Sequence, residues 1–242
     1  MNRSPVATSM SRVVSDVVAS ATGAELREDP VDQRTGGPAG NARLTAWAGL
    51  LLLAGFIAEM FTLLSLQSML GAHILIGAVL IPLVVLKTAT TGWRIARYYL
   101  GSDAYRTAGP PPLLLRVLGP LVVLTGLAVL GSGLALIPLG NASFNTIVTV
   151  VGQRIDALTI HKLCFVLWLV VTGAHVLART IPALQLTTVR RERHLPGRLA
   201  RTAVIVVTLA ASVVTGVIVM NLPTDWSNGG IHQFDGQGED GG

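Results

Sequence analysis

Long apolar stretches separated by short polar segments dominate the chain. Five of them approach the ~20 apolar residues that a helix needs to cross a hydrocarbon core of ~30 Å. Polar residues interrupt the pattern between them, so each stretch is predicted to form one spanning helix. The predicted fold class is all-α, a polytopic transmembrane helix bundle with about five spanning helices. The five stretches are residues 45–66, 72–97, 113–137, 158–180 and 201–221.

Polar segments flank this predicted bundle, which is assigned to residues 43–222. Residues 1–42 contain no apolar run of signal-peptide length and are predicted to form a disordered cytoplasmic tail. Residues 223–242 are rich in glycine and acidic residues and predict a flexible extracytoplasmic tail. Residues 141–157 are too short and too polar to cross a membrane, so they are predicted to be an outer loop or a helix lying along the surface.

Composition favours a membrane protein and excludes several soluble classes. Hydrophobic residues make up 51% of the 242 positions and charged residues 13%, and the mean hydropathy is +0.61, whereas soluble domains carry roughly 25% charged residues. The net charge of +5 does not indicate nucleic-acid binding, because the basic residues lie between apolar runs rather than on one polar face. The single cysteine, Cys164, lies in an apolar run and excludes an internal disulfide, a Cys-based zinc site and a Cys-ligated iron–sulfur cluster.

The basic residues predict an orientation, because Lys and Arg in short loops resist translocation. Five precede the first span, five follow the second span or open the third, and six link the fourth and fifth. Only Arg154 and Lys162 fall on the other side. This asymmetry predicts an integral plasma membrane protein with the amino terminus in the cytoplasm and the carboxyl terminus outside.

Three histidines occupy related positions in the predicted spans. His73 opens the second span and His161 opens the fourth, and both spans run from outside to inside, so the two imidazoles are predicted at similar depth near the outer surface. Two imidazoles across a gap can supply both axial ligands of a haem iron, and an apolar bundle supplies the surrounding pocket. His175 follows His161 by 14 residues, which is ~21 Å along a helix and within ~40° of the same face. The same interval on the second span leads from His73 to Lys87, which is therefore predicted to face His175.

Two of these segments resemble the four-helix b-type membrane cytochromes: HKLCFVLWLVVTGAH, with a histidine at each end, and HILIGAVLIPLVVLK, which opens with one. These proteins include ferric-reductase-like transmembrane domains and the cytochrome b subunits of formate dehydrogenases and hydrogenases. The likeness covers residues 45–221, and the segment KTATTGWRIARYYLGSDAYRTAGPPPLLLRVLGP is similar to actinobacterial membrane proteins, some of them joined to or encoded with molybdopterin oxidoreductases. The resemblance implies haem b, one or two per chain, and transmembrane electron transfer, often with a quinone as one reactant. Lys87 departs from the di-haem pattern, in which a fourth histidine is expected.

Each of these residues also has a structural interpretation. His73 and His161 are either metal ligands of an outer haem or interfacial histidines that tolerate the headgroup region. His175 needs a partner inside the membrane, which can be a haem iron, a helix carbonyl or a quinone. Lys87 can snorkel toward the cytoplasmic boundary, pair with an inner-haem propionate or, after losing its proton, ligate iron. If Lys87 does not ligate, we expect the inner half to hold a quinone, with Lys87 and His175 as polar contacts.

Glu59 is the only carboxylate in the first predicted span. A lone intramembrane carboxylate indicates function by default, here proton acceptance during quinol oxidation near the outer haem, and the alternative is a structural hydrogen bond to another helix. Gly77 lies one turn after His73, and Gly173 lies half a turn before His175. Both remove side chains where a porphyrin edge can pass, although helix packing explains them equally well.

The sequence therefore predicts a b-type membrane cytochrome that transfers electrons between a quinone or a redox partner protein and another acceptor. We expect an electron-transfer subunit, such as the membrane anchor of an oxidoreductase complex, rather than a complete enzyme, and no catalytic residue is assigned. The alternative is a cofactor-free integral membrane protein, either a transporter component or an assembly scaffold. In that case Glu59, Lys87 and His175 mark a polar path or pack the bundle interior.

Overall fold

Five long α-helices dominate the described part of the chain. The computed structural model describes residues 15, 18–19, 21–22, 29–109, 113–188 and 195–222. The long helices are α1 (Gly37–Thr62), α2 (Leu66–Tyr99), α4 (Leu113–Leu139), α5 (Ala157–Thr188) and α6 (Arg198–Met220). The short elements are α3 (Asp103–Ala108), the strands β1 (Val148–Val150) and β2 (Gln153–Ile155), and 3-10 turns at Leu63–Ser65 and Gly140–Phe144.

Four helical runs are long and apolar enough to cross a membrane, which confirms the predicted all-α membrane bundle at that level. They are Gly37–Tyr99, Arg116–Phe144, Ala157–Thr188 and Arg198–Met220. The first run contains 63 residues and would measure roughly 95 Å if it were straight. It instead reverses at Leu63–Ser65, because α1 and α2 pack against each other along their length.

Side-chain contacts bring four helix termini together at one end of the bundle, which we call the basic end. Near the start of α1, the Asn41 side-chain amide donates to Thr90 O, late in α2, at 3.0 Å. Arg43, also in α1, donates to Thr187 O at the end of α5 at 3.4 Å. Arg201, at the start of α6, donates to carbonyls of the chain that precedes α1 and α6. Helices α1 and α6 therefore start where α2 and α5 end.

The opposite end of the bundle, which we call the histidine end, holds the other termini. Thr62 at the end of α1 contacts His73 near the start of α2. Ser132, late in α4, contacts His161 near the start of α5. Consecutive long helices therefore run antiparallel, and His73 and His161 lie at the same end, as the pattern of spans predicts.

The first helix begins eight residues before the predicted span, inside the segment 1–42 that was assigned to a disordered tail. The described chain just before it is folded: the Arg94 guanidinium donates two hydrogen bonds to Asp29, at 2.8 and 2.9 Å. Asp32 Oδ1 accepts from two backbone N–H groups of the following turn, and these bonds lower the pKa of Asp32. Helix α1 therefore extends beyond its apolar core, into the segment predicted as a tail.

The segment predicted as an outer loop or surface helix folds as a 3-10 turn followed by a β-hairpin. Strands β1 and β2 pair antiparallel with Val148 opposite Ile155. The hairpin turn is formed by Val151 and Gly152, both with positive φ. The predicted tail at residues 223–242 lies outside the described residues.

Small residues allow the long helices to approach closely. A Cβ added at Gly55 on α1 would lie 2.5 Å from Leu80 Cδ2, and one at Gly216 on α6 would lie 2.9 Å from Leu75 Cδ1. Side chains on the outer faces are apolar and exposed, such as Leu177 at 80%. A continuous exposed apolar surface of this kind is typical of a membrane-facing bundle.

Candidate functional site

His73 is hydrogen-bonded through one ring nitrogen to the end of α1. Its Nδ1 lies 2.8 Å from Glu59 Oε1 and 3.0 Å from Thr62 Oγ1. The Thr62 hydroxyl donates its own hydrogen to Glu59 O at 2.6 Å, so its oxygen is left to accept. In the neutral imidazole, both contacts are satisfied when Nδ1 carries the proton and Nε2 keeps its lone pair.

His161 is held in the same way from α4. Its Nδ1 lies 3.0 Å from Ser132 Oγ, and that hydroxyl donates to Val129 O at 3.1 Å. In the neutral ring, both contacts of the hydroxyl are satisfied when Nδ1 carries the proton. The ring lies against Gly133, where an added Cβ would be 3.0 Å from His161 Cε1. Glycine at this position gives the imidazole its space.

The two imidazoles face each other across the bundle. Their ring centres are 6.4 Å apart, and their planes make an angle of 81°. Imidazole nitrogens bind first-row metal ions at about 2.0–2.1 Å, and each nitrogen lies about 1.1 Å from its ring centre, so two imidazoles on opposite sides of one ion have centres about 6.3 Å apart. Helices α2 and α5 do not pack closely against each other over their described lengths. The ring-centre separation is therefore of the size that two imidazoles on one iron require, and each inferred tautomer leaves Nε2 with a lone pair to ligate.

Local signals place each histidine. Asp156 precedes α5, and its Oδ1 accepts from the backbone N–H of Thr159 at 2.7 Å, as an N-cap residue does. This hydrogen bond lowers the pKa of the Asp156 carboxyl. The cap fixes where α5 begins and therefore the height of His161. The turn at Leu63–Ser65 has the same effect on His73, because it sets the register of α2 against α1.

A second group of polar side chains surrounds a cavity of about 110 Å³ between α1, α2, α4 and α5. His175 and Lys87 both line it, as predicted from their matching intervals. His175 Nδ1 is buried and has no hydrogen-bond partner among the described residues. Lys87 Nζ donates to Thr45 O on α1 at 3.1 Å. This volume is smaller than the ~300–1,000 Å³ of typical ligand pockets.

Several predicted residues occupy more peripheral positions. Glu59 Oε1 bonds to His73, but Glu59 Oε2 is buried with no partner among the described residues. A Cβ at Gly77 would have only Glu59 Oε1 within 4 Å, at 3.8 Å, so this glycine leaves space beside the His73 contact. A Cβ at Gly173 would meet nothing within 4 Å. His194 and His232, the remaining two histidines, lie outside the described residues.

No family model, curated protein or solved structure matches this chain. The resemblance to b-type cytochromes therefore depends on the histidine pattern and on the geometry around it. Among the described residues, no three or more His, Cys, Asp or Glu side chains are grouped to hold a metal ion. That test addresses sites with three or four protein ligands, such as zinc sites, whereas a haem iron takes only two axial ligands from the protein.

Four contributing residues were not identified from the sequence. Thr62 and Ser132 contact the two histidines, Gly133 makes room for one ring, and Arg179 lines the cavity of about 110 Å³. In the sequence, Arg179 is only one of the six basic residues that link the fourth and fifth predicted spans. The sequence offers one signal for the contributing residues, a serine followed by a glycine at positions 132–133 in the third predicted span. This pair indicates a site only when the rotation of the helix about its own axis is known.

Proposed function

We propose that this chain is a b-type membrane cytochrome that binds one haem b between His73 and His161. The observation that carries the proposal is the matched arrangement of the two rings. Each Nδ1 contacts a hydroxyl whose own hydrogen is bonded to a helix carbonyl. Each Nε2 is left with a lone pair, and the ring centres are 6.4 Å apart.

The protein's part in this function is to fix the two ligands before a cofactor binds. A hydrogen bond from Nδ1 to a carboxylate or hydroxyl holds the tautomer and the orientation of a ligating imidazole and raises its basicity. Glu59 and Thr62 do this for His73, and Ser132 does it for His161. Haem bound there would accept and release one electron at a time. His175 and Lys87 are left out of the proposed ligand set, because His175 shares its cavity with Lys87 rather than with a second histidine.

The proposed placement has five crossings, with α1 and α2 counted separately because the chain reverses between them. The cation-rich basic end would face the cytoplasm of a bacterial cell and the histidine end would face outward. Electrons would be exchanged with a quinone or with a redox partner protein docked near the histidine end. The chain would act as an electron-transfer subunit of an oxidoreductase complex.

A haem-loading experiment tests the proposal. The full chain is expressed in cells supplied with haem precursor and purified in detergent, and reduced-minus-oxidised spectra are recorded. We expect α and Soret bands of a low-spin b-type haem and about one haem per chain in a pyridine haemochrome assay. His73→Ala and His161→Ala should each lose the low-spin spectrum, whereas His175→Ala, on the same helix as His161, should keep it.

The angle between the rings provides a second readout. Two imidazole planes that are nearly perpendicular give a ferric low-spin electron paramagnetic resonance signal with one very large g value, whereas parallel planes give three separated g values. The angle of 81° predicts the first type. A colourless preparation, or equal loss of haem in all three histidine variants, would contradict the proposal.

A cofactor-free proton path is the second candidate, because buried polar atoms of Glu59 and His175 lack partners among the described residues. Such unpartnered groups inside a membrane commonly mark ion or proton pathways. Proteoliposomes containing a pH-sensitive dye test this function. This function requires that a colourless protein carry protons across the vesicle membrane. The proton flux should be lost in Glu59→Gln and in His175→Ala. It should be kept in Asp103→Asn, which changes an exposed carboxylate at the start of α3.

A further inference from the structure

The cavity between α1, α2, α4 and α5 has a charge pattern that the haem proposal does not use. Lys87 and Arg179 both line it, and none of its lining residues is acidic. An arginine remains charged in proteins. Positive charge facing an apolar interior is costly unless a negative group compensates it. An anionic ligand in the cavity would therefore supply a compensating charge that its own lining does not provide.

The acidic side chain that influences Arg179 is already hydrogen-bonded to another arginine. Asp29 lies within electrostatic range of Arg179, but both of its oxygens accept hydrogen bonds from Arg94, at 2.8 and 2.9 Å. Arg179 makes no hydrogen bond or ion pair with another described residue. Lys87 donates one of its three N–H groups to Thr45 O, at 3.1 Å. Donors on both side chains therefore remain for a ligand.

The other walls of the cavity are suited to an apolar chain. Phe56 and Trp168 both line it, and their rings are in edge-to-face contact with centres 4.7 Å apart. Among the lining residues, Thr172 Oγ1 and His175 Nδ1 are buried without partners in the described structure. The cavity thus combines two cationic donors and two unpartnered polar atoms with an aromatic wall.

We propose that this cavity binds a single-chain amphiphile with an anionic head group, either a carboxylate or a phosphate monoester. The head contacts Lys87 and Arg179, and the apolar chain lies along Phe56 and Trp168. A volume of about 110 Å³ is of the order of the ~150 Å³ engineered cavity that holds benzene, so it accommodates a small head group and the first part of one chain. Basic recesses between spanning helices are known to attract anionic lipid head groups. This proposal depends on the membrane placement and not on haem.

A displacement experiment tests the ligand class. The full chain is purified in an uncharged maltoside detergent and mixed with spin-labelled stearate, and the immobilised fraction is measured by electron paramagnetic resonance. Oleate and oleyl phosphate should both displace the probe, and their ratio distinguishes the carboxylate from the phosphate head. Oleyl alcohol should compete at least about tenfold more weakly, and inorganic phosphate should not compete, because each lacks half of the recognised chemistry.

Matched variants test the site. Lys87→Gln with Arg179→Gln removes both cations of the cavity, and we expect at least about tenfold weaker stearate binding. Lys162→Gln with Arg154→Gln removes the same charges at the histidine end and should bind as the parent chain does. Arg179→Lys, which keeps the charge, should retain most of the binding.

Three results would overturn this assignment. The first is equal competition by oleyl alcohol, which would assign the cavity to neutral amphiphiles such as quinones. The second is equal loss of binding in both double variants, which would indicate non-specific charge attraction. The third is displacement by inorganic phosphate alone. If circular dichroism shows that the Lys87 and Arg179 double variant is unfolded, the ligand series on the parent chain and Arg179→Lys decide. The haem spectrum depends on other residues, so either proposal can fail without the other.

Discussion

At the scale of single residues, the proposed haem site depends on the contact between Glu59 and His73. A carboxylate that accepts the Nδ1 proton raises the basicity of Nε2 and favours the ferric over the ferrous state of a bound haem. Glu59→Gln should therefore raise the haem midpoint potential by tens of millivolts while keeping the low-spin spectrum. Potentiometric titration of the purified protein, followed at the α band, measures this shift.

Asp103→Asn is the control for that prediction. Asp103 is an exposed carboxylate near the basic end, so its removal changes the net charge equally without touching either histidine. It should leave the potential within a few millivolts of the parent value. Equal potentials in the parent and Glu59→Gln proteins would mean that the 2.8 Å contact does not act on the metal ligand.

Gly133 provides a second residue-scale prediction. A Cβ at this position would lie 3.0 Å from His161 Cε1, which is tighter than ordinary van der Waals contact, so the ring must shift by a few tenths of an ångström. Gly133→Ala should lower haem occupancy or convert part of the haem to a high-spin form, as seen in the Soret band. Gly131→Ala on the same helix meets nothing within 4 Å and should be neutral. Equal spectra for both variants would contradict the assigned ring position.

The spacing of residues predicted which histidines meet but not what holds them. The positions of His73 and His161 follow from the direction of their spans, and that can be predicted from hydropathy alone. Ser132 and Thr62 were missed because a hydroxyl in an apolar helix usually bonds to its own helix, as Thr125 does with Leu121 O at 2.7 Å. Finding the two that also contact an imidazole requires the rotation of each helix.

At the scale of elements, the N-cap of α5 predicts a pH-dependent stability. The folded pKa of Asp156 is lowered, so its contribution to folding is fully present above the usual value of about 3.9 and is lost as the pH falls through the folded pKa. Asp156→Ala should therefore lower stability at pH 7 by about 1 kcal/mol or less, with the difference shrinking below about pH 4. Thermal unfolding in detergent, followed by circular dichroism between pH 3.5 and pH 7, measures it.

Asp156→Asn separates the cap from the charge. Asparagine is an equally good N-cap but does not titrate, so this variant should stay close to the parent at pH 7 and show no additional pH dependence. A constant difference between the parent and Asp156→Ala proteins at every pH would show that the carboxylate does not stabilise the start of α5.

The helix boundaries show which ends of the helices can be predicted from the sequence. Hydropathy predicted a polar break between residues 66 and 72, whereas the chain reverses at Leu63–Ser65. Two of those three turn residues are leucine, so the turn carries no Gly or Pro signal of the usual kind. Helix α1 starts at Gly37, before its apolar core. Its polar first part is held against α2 and α5 by hydrogen bonds from Asn41 and Arg43. Apolar length therefore predicts the membrane-spanning part of a helix rather than its ends.

At the scale of the whole molecule, antiparallel neighbours place the hairpin turn and the α2–α3 connection at opposite ends of the bundle. The cation asymmetry predicts that the hairpin is outside the cell and the α2–α3 connection is inside. The chain has a single cysteine, Cys164, so a Cys164→Ser background allows single cysteines to report position. Val151, at the hairpin tip, is 96% exposed, and Asp103 is exposed at the start of α3.

In that background, Val151→Cys should react with a membrane-impermeant maleimide in intact cells, and Asp103→Cys should react only after the membrane is permeabilised. The reverse result would keep the bundle and invert its orientation, which would place the histidine pair on the cytoplasmic side. Labelling of both positions in intact cells would contradict the five-crossing arrangement. In that arrangement a single crossing, α4, separates the two positions, whereas two sites on the same side of a membrane are separated by an even number of crossings. The two histidines would still face each other across the bundle, since that contact depends on helix packing and not on the direction of insertion.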